Sequence, residues 1–251
     1  MPSAVFRFYA ELNFFLPVTR RYRQIAIDFD AHQTVKHLIE SLGVPHTEVD
    51  LILVNGISVD FGYQPRQGDR VSVFPVFESL EISPLSRVRT KALRDPKFIL
   101  DTHLGRLAAY LRLLGFDALY RNDYEDETLA DVASREKRIL LTRDRGLLKR
   151  NQVTHGYCLR STNSRQQAVE VLRRFDLVKR AQPFQRCARC NTPLQPVEKS
   201  EILEQLNPNT RKYFHEFKRC PGCLQIYWKG SHYIRMNLLI EGMLQEANLS
   251  G

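Results

Sequence analysis

Four of the five cysteines stand as two pairs, Cys187-x-x-Cys190 and Cys220-x-x-Cys223, with 29 residues between the pairs. A C-x-x-C turn brings two thiolates to one ion, and two such turns complete a tetrahedral four-sulfur site of the kind zinc takes. All four ligands would come from protein, which leaves no open coordination position, so this zinc is expected to be structural rather than catalytic. A redox-active C-x-x-C usually occurs once, in a thioredoxin-like setting. The fifth cysteine, Cys158, falls inside an apolar run and reads as a core residue.

A second set of residues is acidic. The short apolar run Lys97-Phe98-Ile99-Leu100 ends in Asp101, and Arg138-Ile139-Leu140-Leu141-Thr142 is followed almost at once by Asp144. Between them, Asp123-Tyr124-Glu125-Asp126-Glu127 precedes a helical pattern. Sites in open parallel sheets lie beyond the carboxyl ends of the strands, so Asp101 and Asp144 are expected at one sheet edge, which the acidic loop carrying Asp126 can also reach. Carboxylates that converge repel one another unless a cation sits between them, and hard oxygen ligands suit Mg²⁺ or Mn²⁺. One or two such ions position water and stabilise the charge developing on a phosphodiester. Each carboxylate also has a local reading compatible with that one. Asp101 and Asp126 could cap the helices that follow them, and Asp144 could form a turn.

The elements that must hold these residues follow from periodicity. After Asp101, residues 103–114 place Leu104, Leu107, Ala108, Leu111 and Leu114 on one apolar stripe, with Arg106 and Arg112 off it and Gly115 as the C-terminal stop. Residues 116–120 read as a second strand and residues 127–136 as a helix buried through Leu129, Val132 and Ala133. Residues 138–142 form a third strand, 157–160 a fourth, and 164–175 a helix with Ala168, Val169, Val171, Leu172 and Phe175 inward. Strands alternating with helices imply an α/β domain with a parallel sheet.

The first 80 residues differ in character. They carry 7 Lys+Arg against 9 Asp+Glu, a net of −2, whereas residues 81–251 carry 30 against 19, a net of +11. Runs at 4–10, 24–29, 51–54 and 70–76 read as strands around a helix at 34–42, with Gly43 as its stop and Asn55-Gly56 as a tight turn. That order resembles the ubiquitin-like β-grasp, and "VNGISVD…QGDRVSVFPV" resembles the small ubiquitin-like sulfur carriers. Those carriers end in a free Gly-Gly. Here Val76-Phe77-Glu78-Ser79 follows and the chain continues, so a docking or stabilising module is expected rather than sulfur transfer. Glu81-Ile82-Ser83-Pro84-Leu85-Ser86-Arg87 reads as a linker.

The whole chain, 251 residues with a net charge of +9 and 43% apolar composition, excludes collagen-like, mucin-like and wholly disordered classes. Its surplus of positive charge points to a polyanionic partner. No run approaches the roughly 18 apolar residues of a membrane span, and the first residues lack the pattern of a signal peptide. A cytoplasmic protein with no membrane partner is expected.

"FILDTHLGRLAAYLRLLGFDALY", "DETLADVASREKRILLTRDRGLLKR" and "GYCLRS" resemble the Mut-7 C-terminal RNase domain family. The resemblance implies a PIN-like nuclease domain followed by a zinc ribbon, often preceded by a ubiquitin-like domain. On this chain it divides the sequence into a ubiquitin-like β-grasp domain at 1–80, a linker at 81–96, a PIN-like parallel-sheet nuclease domain at 97–180 and a zinc ribbon with tail at 181–251. It implies that Asp101, Asp126 and Asp144 hold Mg²⁺ or Mn²⁺ for ribonucleolytic hydrolysis, with Arg106, Arg143 and Arg160 as candidates for substrate phosphates and His103 near Asp101. PIN-like nucleases often use a fourth carboxylate, and none stands in 157–165, where Arg160 and Asn163 occur.

Around the cysteines, Lys218, Arg219, Lys229 and Arg235 alternate with Tyr213, Phe217, Tyr227, Trp228 and Tyr233. Cations for phosphates and aromatic faces for stacking suit single-stranded or looped RNA, although some of these rings are needed for the core of the ribbon. "YWKGSHYIRM" also resembles the family ending, and His232 within it faces either nucleic acid or the knuckle. Lys229, His232 and Arg235 are therefore candidate RNA contacts. The competing functions are a non-hydrolytic RNA-binding protein, associated with tRNA or the ribosome, and a protein-recruiting adaptor acting through the N-terminal module.

Overall fold

The computed structural model describes residues 1–75, 87–88 and 95–249. Most of the expected linker, and Val76 at the end of the last N-terminal strand, lie outside the described residues. In chain order the elements are β1 (Ser3–Phe8), β2 (Gln24–Asp28), α1 (Val35–Ser41), β3 (Val49–Val54), β4 (Ile57–Val59) and β5 (Arg70–Pro75), then β6 (Phe98–Leu100), α2 (Gly105–Leu113), β7 (Ala118–Tyr120), α3 (Asp126–Arg135), β8 (Ile139–Thr142), α4 (Arg145–Leu148), β9 (Gly156–Cys158) and α5 (Ser164–Arg174). The last part holds β10 (Gln195–Val197), α6 (Lys199–Ile202), α7 (Pro208–Tyr213), β11 (Phe217–Arg219), β12 (Ile226–Trp228) and α8 (Ser231–Asn248). Among the described residues, no helix is long and apolar enough to cross a membrane. The chain forms two compact units, one of residues 1–95 with 125–158 and the other of 96–124 with 159–251.

The first unit opens with a β-grasp. Its five strands run in the order β2-β1-β5-β3-β4, with β1 and β5 parallel and the other pairs antiparallel. Alternation along β1 sends Ala4, Phe6 and Phe8 inward, as a half-buried strand requires. Helix α1 starts where Thr34 accepts the His37 N–H at 3.3 Å, and it buries Val35, Leu38 and Ile39. Asn55 and Gly56 both adopt left-handed φ, +52° and +85°, which is the backbone a two-residue hairpin turn demands. Asp69, itself buried, closes the loop before β5. Its carboxylate accepts from Asn55 Nδ2 at 2.8 Å, Tyr63 OH at 2.9 Å and the Arg66 N–H at 2.8 Å.

The same unit contains a second layer. Helix α3 buries Leu129, Ala130, Val132 and Ala133, and β8 pairs in parallel with β9, Leu140 opposite Gly156 and Thr142 opposite Cys158. The β-grasp is joined to this layer by buried polar bonds. Glu48, fully buried in a 3₁₀ turn, accepts the Cys158 N–H on Oε1 at 2.6 Å. His46 lies 2.9 Å from the Val153 carbonyl through Nε2 and 2.7 Å from Glu40 through Nδ1. Lys149 donates to the Glu40 carbonyl at 2.7 Å, and Arg145 donates to the Phe15 carbonyl and lies over the rings of Phe14 and Phe15. The expected core position of Cys158 holds: the residue is 2% exposed.

The second unit begins with β6, paired in parallel with β7. Helix α2 follows the predicted stripe, and Gly115 ends it with φ +97° while Gln182 donates its N–H to the Leu114 carbonyl. A Cβ at Gly115 would sit 2.2 Å from the Gln182 oxygen, so glycine alone fits this approach. Helix α5, capped by Asn163, packs on α2 and on α8. Glu246 of α8 accepts from Arg165 at 2.5 Å and Gln166 at 2.9 Å. Strands β10, β11 and β12 form a three-stranded antiparallel sheet over a small core of Ile202, Leu206 and Phe217.

Two measurements test these junctions. Glu48→Ala leaves the buried Cys158 N–H without this acceptor and should lower stability by roughly 1–3 kcal/mol in urea unfolding. Asp69 stands against burial, yet the donors from Arg66, Asn55 and Tyr63 hold its carboxyl below the usual carboxylate range. A lowered folded value contributes stability above the unfolded value near 4 and loses it as pH falls through the folded one. Asp69→Asn should therefore flatten the acid limb of the stability profile below about pH 4.

Candidate functional site

Each predicted carboxylate sits at an element boundary. Asp101 follows β6, whose three residues are fully buried, and is itself 6% exposed. Its Oδ1 accepts from the Thr102 N–H at 2.6 Å and the Thr102 hydroxyl at 3.3 Å, with His103 Nδ1 at 3.6 Å. The Asp101 carbonyl accepts the Leu104 N–H, so the residue shapes a tight turn rather than capping α2. Asp144 does cap: its Oδ1 accepts the Gly146 N–H at 2.6 Å at the start of α4, while its own N–H donates to Thr142 Oγ1. Asp126 is the first residue of α3, after the cap position Glu125, and lies 3.7 Å from Arg150 on an exposed surface. Asp126 and Glu127 together favour the positive end of that helix.

Arg106 and Arg143 are exposed. Arg160 lies on the loop after β9, and its backbone N–H and that of Ser161 both donate to Glu170 of α5, at 2.9 and 3.2 Å. Residues 157–165 contain no carboxylate of their own, and Glu170 reaches back to this loop from the next helix.

The cysteines assemble as their spacing predicts. One ligand atom from each of Cys187, Cys190, Cys220 and Cys223 lies within 4.8 Å of all the others, and among the described residues this is the one such group of three or more potential ligands. The Sγ atoms of Cys187 and Cys223 are 3.5 Å apart, those of Cys190 and Cys220 3.2 Å. A tetrahedron with Zn–S bonds of about 2.3 Å has edges of about 3.8 Å, so the four sulfurs are consistent with a structural zinc ion. The two knuckles are copies of one device. In each, the residue after the second cysteine, Asn191 or Leu224, takes a left-handed φ and donates its N–H to the first cysteine's carbonyl at 2.9 Å.

The sulfurs differ electrically. Against the penalty of burial, Thr192 and the neighbouring thiols bring Cys190 down to about 6. Burial and the other three sulfurs push Cys223 up to about 12. Tyr227 OH lies 3.0 Å from Cys187 Sγ, a position that steadies a ligand sulfur.

Sequence periodicity placed Arg112 off the apolar stripe; the structure buries it, 4% exposed. Its Nε donates to the Ala118 carbonyl at 2.8 Å, and Nη1 donates to the carbonyls of Arg189 at 2.9 Å and Ala188 at 3.3 Å inside the first knuckle. Asn191 adds to the tie by accepting the Ala118 N–H and donating to Asp117 at 2.8 Å. The knuckle, α2 and β7 thus form one hydrogen-bonded frame. Nothing local in the sequence announces it, because the partners lie 76 and 77 residues away.

In the ribbon, Phe217 is core, Trp228 is half-buried beside that core, and Tyr213 is exposed. Lys229 pairs with Glu216 at 2.9 Å in the open. His232 and Arg235 are exposed on the first turns of α8.

The model of the Mut7-C RNAse domain matches residues 96–240, and that of the Mut7-C ubiquitin domain matches residues 1–81. The chain belongs to the Mut7-C RNAse domain family. It is 34% identical over 138 residues to a human protein named exonuclease mut-7 homolog, a stretch that covers 53% of this chain and 15% of that protein. The chain therefore spans a small part of that relative's length. Two crystal structures of small archaeal modifier protein 1 from Haloferax volcanii are each 19% identical with a TM-score of 0.25, covering 30% and 31% of this chain and 98% and 99% of theirs. The Mut7-C match takes in both Asp101 and the four cysteines, and it points to nuclease activity.

Arg112→Met would leave three carbonyls without their donor. It should cost roughly 3 kcal/mol of stability and speed metal release to a chromogenic chelator, whereas Arg106→Met should change neither.

Proposed function

We propose that the chain is a metal-dependent ribonuclease whose Mut7-C domain hydrolyses RNA phosphodiester bonds. The observation that carries this reading is Asp101. It is a carboxylate kept 6% exposed at the carboxyl end of a fully buried strand, inside the segment that matches an RNAse domain. The carboxyl ends of parallel strands are where such sheets bind ligands.

Asp101, Asp126 and Asp144 are the residues that would hold Mg²⁺ or Mn²⁺. Their donor chemistry fits, since carboxylate oxygens are hard ligands. When bound, such an ion supplies charge stabilisation to the phosphodiester and lowers the pKa of water. The chain's own part is positioning. The Thr102 N–H fixes the Asp101 carboxylate and the Gly146 N–H fixes that of Asp144, while Arg106, Arg143 and Arg160 are the candidate phosphate contacts.

The four cysteines are proposed to hold one structural Zn²⁺, which suits a reducing, cytoplasmic setting in which thiols persist. RNA is the proposed substrate, and the β-grasp is proposed to bind protein through the faces it leaves open.

Incubating folded RNA and single-stranded oligomers with Mg²⁺ should give cleavage that is lost when Mg²⁺ is omitted. Asp101→Asn and Asp144→Asn should each slow it on the order of 100-fold while leaving RNA binding intact. Binding that is unchanged in the variants, with no cleavage of any RNA by the wild type, would refute the hydrolytic reading. Elemental analysis should return one zinc per chain, and well under one would refute the metal assignment.

A further inference from the structure

The ribbon lines an open cavity of about 1050 Å³, just above the usual range for small-molecule sites. Its walls carry five Phe, Tyr and Trp rings: Phe184, Phe217, Tyr227, Trp228 and Tyr233. Phe184 and Tyr233 stand with centroids 4.3 Å apart and planes tilted by 38°. Neither belongs to the cluster of Ile202, Leu206 and Phe217 that forms the ribbon's core. Phe184 is held there by backbone: it has φ +58° and donates its N–H to the Leu113 carbonyl at 2.9 Å. Gly230 leaves the indole edge unobstructed, since a Cβ there would stand 2.7 Å from Trp228 Nε1.

The same cavity is bordered by Arg186, Arg189, Lys218 and Lys229 and by two carboxylates, Glu198 and Glu216, with Arg186 already 3.9 Å from Asp117. Lys229 and Glu216 pair in the open, where solvent screens them. Among the described residues Lys218 donates to uncharged oxygens, the Phe184 carbonyl and Gln185 Oε1, and makes no ion pair. Arg189 is exposed, and its side chain makes no ion pair among the described residues. Flat apolar faces beside surplus positive charge complement a nucleotide, whose base is apolar on both faces and whose phosphate is anionic. An acidic peptide would use the cations and leave the rings without planar partners.

We propose that this cavity is a subsite for single-stranded RNA, taking an unstacked base against Phe184, Tyr233 and Trp228 while Lys218 and Arg189 hold the flanking phosphates. The proposal rests on the ribonuclease reading for its choice of RNA. It adds a substrate-gripping site built on the zinc ribbon, apart from the carboxylates. The subsite selects unpaired segments, because a base inside a duplex cannot present a face to the rings.

Trp228 is the chain's single tryptophan, so its emission reports directly on the cavity. The full zinc-loaded chain is titrated with an unlabelled eight-nucleotide oligouridylate without added Mg²⁺, and separately with the fluorescein-labelled oligomer read by anisotropy. A saturable change in tryptophan emission is expected, with the same midpoint as the anisotropy. The midpoint should weaken with salt at a log–log slope of about −0.7 per phosphate held. Tyr233→Leu should weaken binding by about five-fold or more, and Lys218→Gln with Arg189→Gln should reduce the salt slope, with zinc content unchanged in both. A blunt RNA duplex should bind more weakly.

Anisotropy that rises with no tryptophan response places RNA elsewhere and overturns the proposal. An equal tryptophan response to poly-glutamate assigns the cavity to acidic protein and also overturns it, as does no binding at all. The ribonuclease reading stands or falls separately. A chain that binds with a tryptophan response but never cleaves loses the nuclease and keeps the subsite, while one that cleaves without that response loses the subsite alone.

Discussion

A guanidinium cannot be buried unless its donors are met by acceptors, and the second compact unit is organised around that demand at Arg112. Burial draws its pKa below the ordinary arginine value, opposed by Cys190, Cys187 and Asp117, and the group remains a cation. Its hydrogen bonds run to a strand carbonyl on one side and to two carbonyls inside a cysteine knuckle on the other. The turn at Asp101 and the aromatic cavity of the ribbon therefore stand on one frame. Disturbance of the knuckle is transmitted to β7 through Ala118 and Asp117, both of which Asn191 also engages.

The first unit uses a carboxylate in the same way. Glu48 accepts a backbone N–H of β9, and His46, Lys149 and Arg145 add bonds around it. The β-grasp is thus part of the packing of residues 125–158 rather than a bead on a tether. Its edge with Glu48 is already occupied within the chain, and the apolar groups left open are elsewhere, among them Ile57 at 68% and Tyr22 at 70% exposure.

How much of this was legible depends on the range of the forces involved. The cysteine site was readable because both knuckles are local and their spacing states their geometry. Thr34 and Asn163 at helix starts, Asn55-Gly56 in a hairpin and Gly115 at a helix end were equally local. Arg112 was misplaced because helical periodicity treats arginine as solvent-facing, and only distant carbonyls reverse that. Glu170 escaped notice because a side chain on α5 serves a loop that precedes it. Phe184 lies outside the interval of alternating cations and aromatics, and its left-handed backbone leaves no mark in composition. The short helices α6 and α7 carried no periodic signal long enough to register.

The alternation of the two units along the chain has a consequence in time. A ribosome adding about 5–20 residues per second exposes the β-grasp well before its buried acceptor has a donor. Glu48 waits for Cys158, 110 residues later, which is roughly 5–20 seconds of synthesis. Arg112 waits in turn for a knuckle 76 residues downstream. During those intervals a carboxylate and a guanidinium remain hydrated and their surfaces incomplete. The order of emergence therefore makes each unit's closure a late event, and the last to close is the frame that carries the four cysteines.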